Sequence, residues 1–248
     1  MADRVWVLGV PVDRVSTAEA LGIIESWLNG TGPHLVFTPN AEIIARAQDN
    51  RDLKQALAQA DLTVPDGIGV VLAARLLGAP VPERVPGIEL LEELMARAAQ
   101  RGDKVFFFGG RPGIAEEAAR RLKARWPSLR VVGTQHGYFQ KEEEGAILEA
   151  IDRAAPDILV VALGAPKQEL WLTAHRGRLA AKVALGVGGS LDVMAGQVKR
   201  APSAFRRLGL EWFYRLLSQP SRWRRGLQLP RFLLLVLGEI LARRGTKR

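Results

Sequence analysis

The chain has 248 residues, 48% hydrophobic and 25% charged, the balance of a soluble globular protein with one substantial core and a small appendage. It has no cysteine, which excludes disulfides and thiolate metal sites and fits a reducing cytosol. The net charge of +9 is unevenly placed: residues 199–248 hold thirteen Lys/Arg against two acids, whereas residues 1–198 are close to neutral.

The apolar start Val5–Leu8 is too short for a signal-peptide core, so export is not expected. Val5–Val10 reads as a strand and Thr17–Leu28 as a helix opened by Ser16. Leu35–Phe37 is a strand ending at Thr38-Pro39-Asn40, with a helix from Ala41. Leu62–Val64 runs into Pro65-Asp66-Gly67 and then an apolar helix, Ile68–Leu77. After the loop Ala79–Gly87 come the helix Ile88–Gln100, the strand Lys104–Phe108, a glycine turn Gly109–Gly113 and the helix Ile114–Trp126. Arg130–Gly133, Ile158–Leu163 and Val183–Val187 read as strands, with helices Lys141–Ala154 and Lys167–Thr173 between them. No internal repeat is evident.

This alternation predicts an α/β fold, Rossmann-like, with a mostly parallel sheet and helices on both faces. Residues 1–198 form that domain, and 199–248 a basic helical C-terminal appendage. Such sheets place ligands outside the carboxyl ends of their strands. Five polar or glycine-rich segments fall there: Thr38–Asn40, Pro65–Gly67, Gly109–Gly113, Gly164–Gln168 and Gly186–Asp192. Together they predict one shared crevice.

The glycine turns at Gly109-Gly110 and Gly186-Val187-Gly188 can present backbone N–H groups to a phosphate, or serve as plain tight turns. Asp192 can accept from sugar hydroxyls or a base N–H. Asp66 reads either as a turn residue or as a general base that takes a proton from an acceptor hydroxyl. Thr38 and Asn40 offer neutral hydrogen bonds beside it, and Gln168 can orient a sugar or phosphate. The spacing G-x-G-x-x-G is absent, which argues against a nicotinamide dinucleotide. There is no D-x-D triplet, and His34, His136 and His175 stand apart, so no metal or other cofactor is expected. A serine hydrolase would need a G-x-S-x-G elbow, also absent.

In the appendage, bases are interleaved with Phe205, Trp212, Phe213, Tyr214, Trp223 and the run Phe232–Leu237. That mixture suits an anionic membrane surface better than nucleic acid, which is not expected as a partner. A tail packed on a partner subunit is the alternative, which leaves a homo-oligomer open. The run Phe232–Leu237 falls well short of the ~20 apolar residues of a spanning helix.

In chain order, Thr38-Pro39-Asn40, Pro65-Asp66-Gly67, Arg84-Val85-Pro86-Gly87, Phe107-Phe108-Gly109-Gly110 and Gly137-Tyr138-Phe139 resemble the motifs of the WecG/TagA/CpsF glycosyltransferase family. So do Gly164–Glu169, Gly186-Val187-Gly188, Asp192, Arg200-Ala201-Pro202, Gly209–Trp212 and Arg222-Trp223. The resemblance implies inverting, metal-independent transfer of a sugar from a UDP-sugar to a polyprenyl-diphosphate-linked sugar, by a protein peripheral on the cytoplasmic face of the cell membrane. The best-known activity of the family moves N-acetylmannosamine onto N-acetylglucosamine-diphospho-undecaprenol, early in wall teichoic acid synthesis. Other members take uronic-acid donors for exopolysaccharide. The resemblance puts the base on Asp66, with Thr38, Asn40, Arg84 and Gln168 as site partners, and the uridine at Tyr138 and Asp192. Gly109, Gly110, Lys167, Gly186 and Gly188 are expected around the donor, and Arg215, Arg222 and Arg225 at the acceptor diphosphate or the anionic lipid. Glu89 stands where relatives often carry Asp and is left out of the catalytic set. A non-catalytic membrane adaptor is the reading that would survive loss of Asp66.

Overall fold

The computed structural model describes residues 3–207, 209, 211–218 and 228–245. The chain opens with an antiparallel hairpin, β1 (Arg4–Val7) and β2 (Val10–Asp13), where one strand over Val5–Val10 was expected. The reversal is made by Leu8 and Gly9, both at positive φ (53° and 74°), the backbone that a two-residue hairpin turn requires. Leucine seldom adopts it, and Gly9 is the one turn signal in the run Val5–Val10. A distant contact braces it: the Leu8 N–H donates to Glu239 Oε2 at 3.0 Å.

Helix α1 (Thr17–Leu28) starts as expected at Ser16, with a capping box closed by Glu19. After β3 (His34–Phe37), α2 (Ala41–Ala47) is capped by Asn40, and a separate helix, α3 (Arg51–Ala58), by Asn50. Strand β4 (Leu62–Thr63) leads to α4 (Ile68–Leu76) and α5 (Gly87–Arg101). Then follow β5 (Lys104–Gly109), α6 (Ile114–Arg125), β6 (Arg130–Gln135), α7 (Glu144–Ala154), β7 (Ile158–Ala162), α8 (Lys167–His175), β8 (Val183–Gly186) and α9 (Ser190–Met194). The C-terminal segment carries α10 (Ser203–Arg207), α11 (Glu211–Ser218) and α12 (Gln228–Gly245).

Strands β3 to β8 form one parallel sheet in the order β4-β3-β8-β7-β5-β6. The inner strands β3, β5, β7 and β8 are apolar without alternation because both faces are covered. Val36, Val105, Phe107, Val160 and Leu185 point to one core with α1, α5, α6 and α9. Leu35, Phe37, Phe106, Phe108, Leu159 and Ala184 point to the other with α2, α3, α7 and α8. The expected α/β architecture with helices on both faces is thus what the chain adopts.

Helix α12 belongs to the second core. Phe232 and Val236, one turn apart, are fully buried there among residues of α2 and α4, and Arg231 pairs with Asp49 at 2.6 Å. The opposite face exposes Leu233, Leu234, Leu237 and Leu241. No helix among the described residues is long and apolar enough to cross a membrane.

Candidate active site

Because the sheet is parallel, the carboxyl ends of β4, β3, β8 and β7 meet at one edge in that order. A cavity of about 290 Å³ opens there, and the loop after each of the four strands lines it. From β4 comes Asp66, from β3 Thr38 and Asn40, from β8 Gly188, and from β7 Gly164 and Gln168. Arg84 enters from the loop before α5, which the Val85 N–H to Pro65 carbonyl bond (3.0 Å) ties to the loop that carries Asp66.

The local chemistry explains each position. The Thr38 hydroxyl donates to the Gly186 carbonyl at 3.2 Å, tying the ends of β3 and β8. The start of α5 packs on it so closely that a Cβ at Gly87 would lie 3.0 Å from Thr38 Oγ1. Asn40 spends its side-chain oxygen on the Ile43 N–H (3.0 Å), so its Nδ2 group is the part left for a ligand. Half-buried Asp66 turns its own N–H to the Val64 carbonyl at 3.0 Å and precedes Gly67, whose φ of 100° opens α4. Arg84 donates to the Arg206 carbonyl at 3.1 Å, which joins the body to the C-terminal segment at the cavity rim. Gln168 is 2% exposed; its Oε1 receives the Gly188 N–H and its Nε2 donates to Glu169 Oε1, both at 2.8 Å.

Gly109, Gly110, Tyr138, Lys167, Gly186 and Asp192 do not line this cavity. Gly109 ends β5 and Gly110 follows it, and the Gly137 N–H reaches the Gly110 carbonyl at 2.8 Å, so the β5 and β6 loops continue the same edge. Tyr138, 66% exposed, sits on that continuation. Lys167 Nζ lies 3.9 Å over the Phe139 ring and 3.3 Å from the Gly137 carbonyl, fastening this loop to α8. Gly186 ends β8 against Gln168: a Cβ there would sit 3.1 Å from Gln168 Nε2. Asp192 lies in the first turn of α9, and its carbonyl accepts the Gln197 N–H at 2.9 Å. Arg215 is on α11, with its side chain outside the described residues, as are Arg222 and Arg225 entirely.

Sequence reasoning missed several wall residues. Glu42 and Arg46, one turn apart on α2, are 3.8 Å apart, and Arg46 donates to the Ala165 carbonyl at 3.1 Å. Their signal was an i,i+4 acid–base pair directly after Asn40. Gly209, Glu211, Trp212 and Leu229 of the C-terminal segment close the other side. Glu89 is committed elsewhere: Arg200 and Arg206 both pair with it, and Arg200 reaches Glu92 at 3.6 Å, clasping the start of the C-terminal segment to α5. Among the described residues no three His, Asp or Glu side chains cluster as a metal site.

A pocket built from strand-end loops and lined by both a carboxylate, Asp66, and an arginine, Arg84, is suited to group-transfer chemistry. The chain belongs to the WecG/TagA/CpsF family of glycosyltransferases, whose family model matches residues 5–246. It is 38% identical over 226 residues (91% of this chain, 87% of the relative) to the N-acetylglucosaminyldiphosphoundecaprenol N-acetyl-beta-D-mannosaminyltransferase of Bacillus spizizenii strain W23. A protein of the same name from Bacillus subtilis strain 168 is 37% identical over 205 residues, 83% of this chain and 79% of the relative. The protein is an enzyme, a glycosyltransferase.

Proposed function

We propose that the enzyme transfers N-acetylmannosamine from its UDP derivative to N-acetylglucosamine-diphospho-undecaprenol, with inversion and without a metal. The carrying observation is the convergence of Asp66, Arg84, Thr38 and Asn40 in one cavity whose outer wall comes from the basic C-terminal segment. The names of the relatives supply the sugars.

In this mechanism the acceptor hydroxyl attacks the anomeric carbon from the face opposite the leaving group. Asp66 takes the hydroxyl proton as the new C–O bond forms. The bond from C1 to the phosphate oxygen breaks, and its electron pair leaves with UDP. Arg84 and N–H donors of the glycine turns stabilise the charge that develops on the diphosphate. The donor lies along the strand ends, its uridine toward Gly110 and Tyr138 and its sugar in the cavity. The acceptor enters past Trp212 and Leu229, with its lipid in the cytoplasmic leaflet. Bases of the C-terminal segment and the exposed leucines of α12 hold the protein on that surface.

The test is a screen of UDP-sugars against a lipid-diphosphate acceptor, following UDP release and the anomeric configuration of the glycolipid. UDP-N-acetylmannosamine should be the best donor, with inverted product and a rate insensitive to EDTA. Preference for a UDP-uronic acid, a retained configuration, or loss of rate on chelation with recovery on adding magnesium would each overturn its part of the reading.

A further inference from the structure

Glu169 is a buried carboxyl group with no part in the transfer just described. It is 1% exposed, and its Oε1 accepts from Gln168 Nε2 while its Oε2 has no partner. Burial raises its pKa, a push only partly opposed by the Gln168 hydrogen bond, the backbone N–H of Glu169 itself and the charge of Arg46. A half-satisfied buried carboxyl costs free energy that an apolar side chain of similar size would not. Its return lies in what it does to Gln168.

The Gln168 carboxamide sits between two groups that together select one orientation. The Gly188 N–H can only donate, so it takes the amide oxygen. On the other side Glu169 Oε1 accepts, so it takes one hydrogen of the amide nitrogen. A flipped amide would set donor against donor at Gly188 and give up the bond from Nε2 to Glu169 Oε1. With the observed polarity, Gln168 pins the turn after β8 to α8, and Nε2 keeps a second hydrogen beside the cavity that Gln168 lines. Flipped, the amide would offer lone pairs to an anionic diphosphate.

We infer that Glu169 is a positioning residue: it sets the polarity of the Gln168 carboxamide, so that the amide nitrogen offers a donor to a phosphate or sugar oxygen in the cavity. This rests on the transfer reading above for its catalytic consequence, though not for its geometry.

The test uses the full-length chain with Glu169→Leu, Glu169→Gln, Gln168→Leu and the double variant Gln168→Leu/Glu169→Leu. Glu169→Leu should lower kcat by about 10- to 100-fold, the scale of a misplaced contact group. Glu169→Gln, which retains an acceptor for Gln168, should stay within about threefold of wild type in kcat. If Glu169 acts through Gln168, Glu169→Leu should add nothing to the loss in the Gln168→Leu background. Additive losses, full kcat in Glu169→Leu, or Glu169→Gln as impaired as Glu169→Leu would overturn the inference. So would a Tm that falls while kcat holds, the mark of a merely structural role. Should Glu169→Leu fail to fold, hydrogen exchange of the Gln168 side-chain amide decides: slow exchange in wild type and Glu169→Gln supports the inference, and fast exchange in wild type overturns it. That exchange is read without turnover, so an enzyme inactive with every UDP-sugar would remove the functional reading and leave the orientation of Gln168 measurable.

Discussion

Asp66 owes its position to three local facts: it follows a very short strand, proline fixes the residue before it, and Gly67 at positive φ starts the next helix. A carboxylate placed so cannot turn back into the core, and it faces the cavity with Arg84. Asp66→Asn should lower turnover by about 10²- to 10⁴-fold, the usual range for a general base, and leave UDP affinity nearly unchanged. Calorimetric UDP binding beside kcat checks this; wild-type turnover in the variant would reduce Asp66 to a turn residue. Asp157 behaves differently. Burial would raise its pKa, but the Lys104 N–H, the Lys182 ammonium and both lysine charges outweigh it and hold the carboxyl below the usual range. A depressed folded-state pKa stabilises above the unfolded value of ~4 and loses that contribution as pH falls through the folded pKa. Asp157→Asn should therefore be less stable than wild type at pH 7, by about 1 kcal/mol for lost charge-assisted bonds. The gap should close below pH ~4, which denaturation midpoints measured across pH would show.

Helix α12 is apolar on two faces for different reasons. The stripe Leu229, Phe232, Val236 and Ile240 repeats at helical spacing and packs on the body, while Leu233, Leu234, Leu237 and Leu241 face outward. Its partner α2 carries Asn40 at its cap and Glu42 and Arg46 in the cavity wall, so the helix also props the site. Phe232→Ala should cost about 3–5 kcal/mol of stability, as large aromatic truncations in cores do. The denaturant midpoint should fall with an unchanged m value. Leu234→Asp and Leu241→Asp, at positions about 70% exposed, should leave that midpoint almost unmoved and weaken binding to anionic vesicles. A Leu234→Asp protein that floats with vesicles as wild type does would place the membrane contact elsewhere.

At the scale of the molecule, charge and core pull the C-terminal segment two ways. Its bases suit an anionic surface, whereas Phe232 and Val236 anchor it in the body. Cutting the chain at residue 199 would strip both side chains from the core, so charge reversal is the cleaner probe of membrane binding. Arg215→Glu with Arg222→Glu should weaken binding to anionic vesicles by about 1 kcal/mol for each base removed, most at low salt where screening is least. Equal binding at low and high salt would mean that the apolar face alone holds the protein.

The sheet, its order of helices and most of the cavity were legible in the residues. Doubly buried strands read as continuous apolar runs, and loops at parallel strand ends converge wherever the strands are adjacent. Thr38, Asn40, Asp66 and Gln168 could be grouped on that ground alone. What could not be read depended on contacts between distant residues. The turn at Leu8 is braced by Glu239, more than two hundred positions away, and Gly9 alone was too weak a signal to reveal it. The separation of α2 from α3 left too short a stretch of helix for its period to be distinct, although Asn50 marked the second start. The places of Arg46 and Trp212 in the cavity wall, and of Glu169 behind Gln168, followed only once α2, α8 and the C-terminal segment were packed together. Local sequence determined the elements and the edge where chemistry gathers, because caps, turns and periodicity are short-range. Only tertiary structure decided which charges share the cavity and which face of α12 is buried, because both are set by elements far apart in the chain.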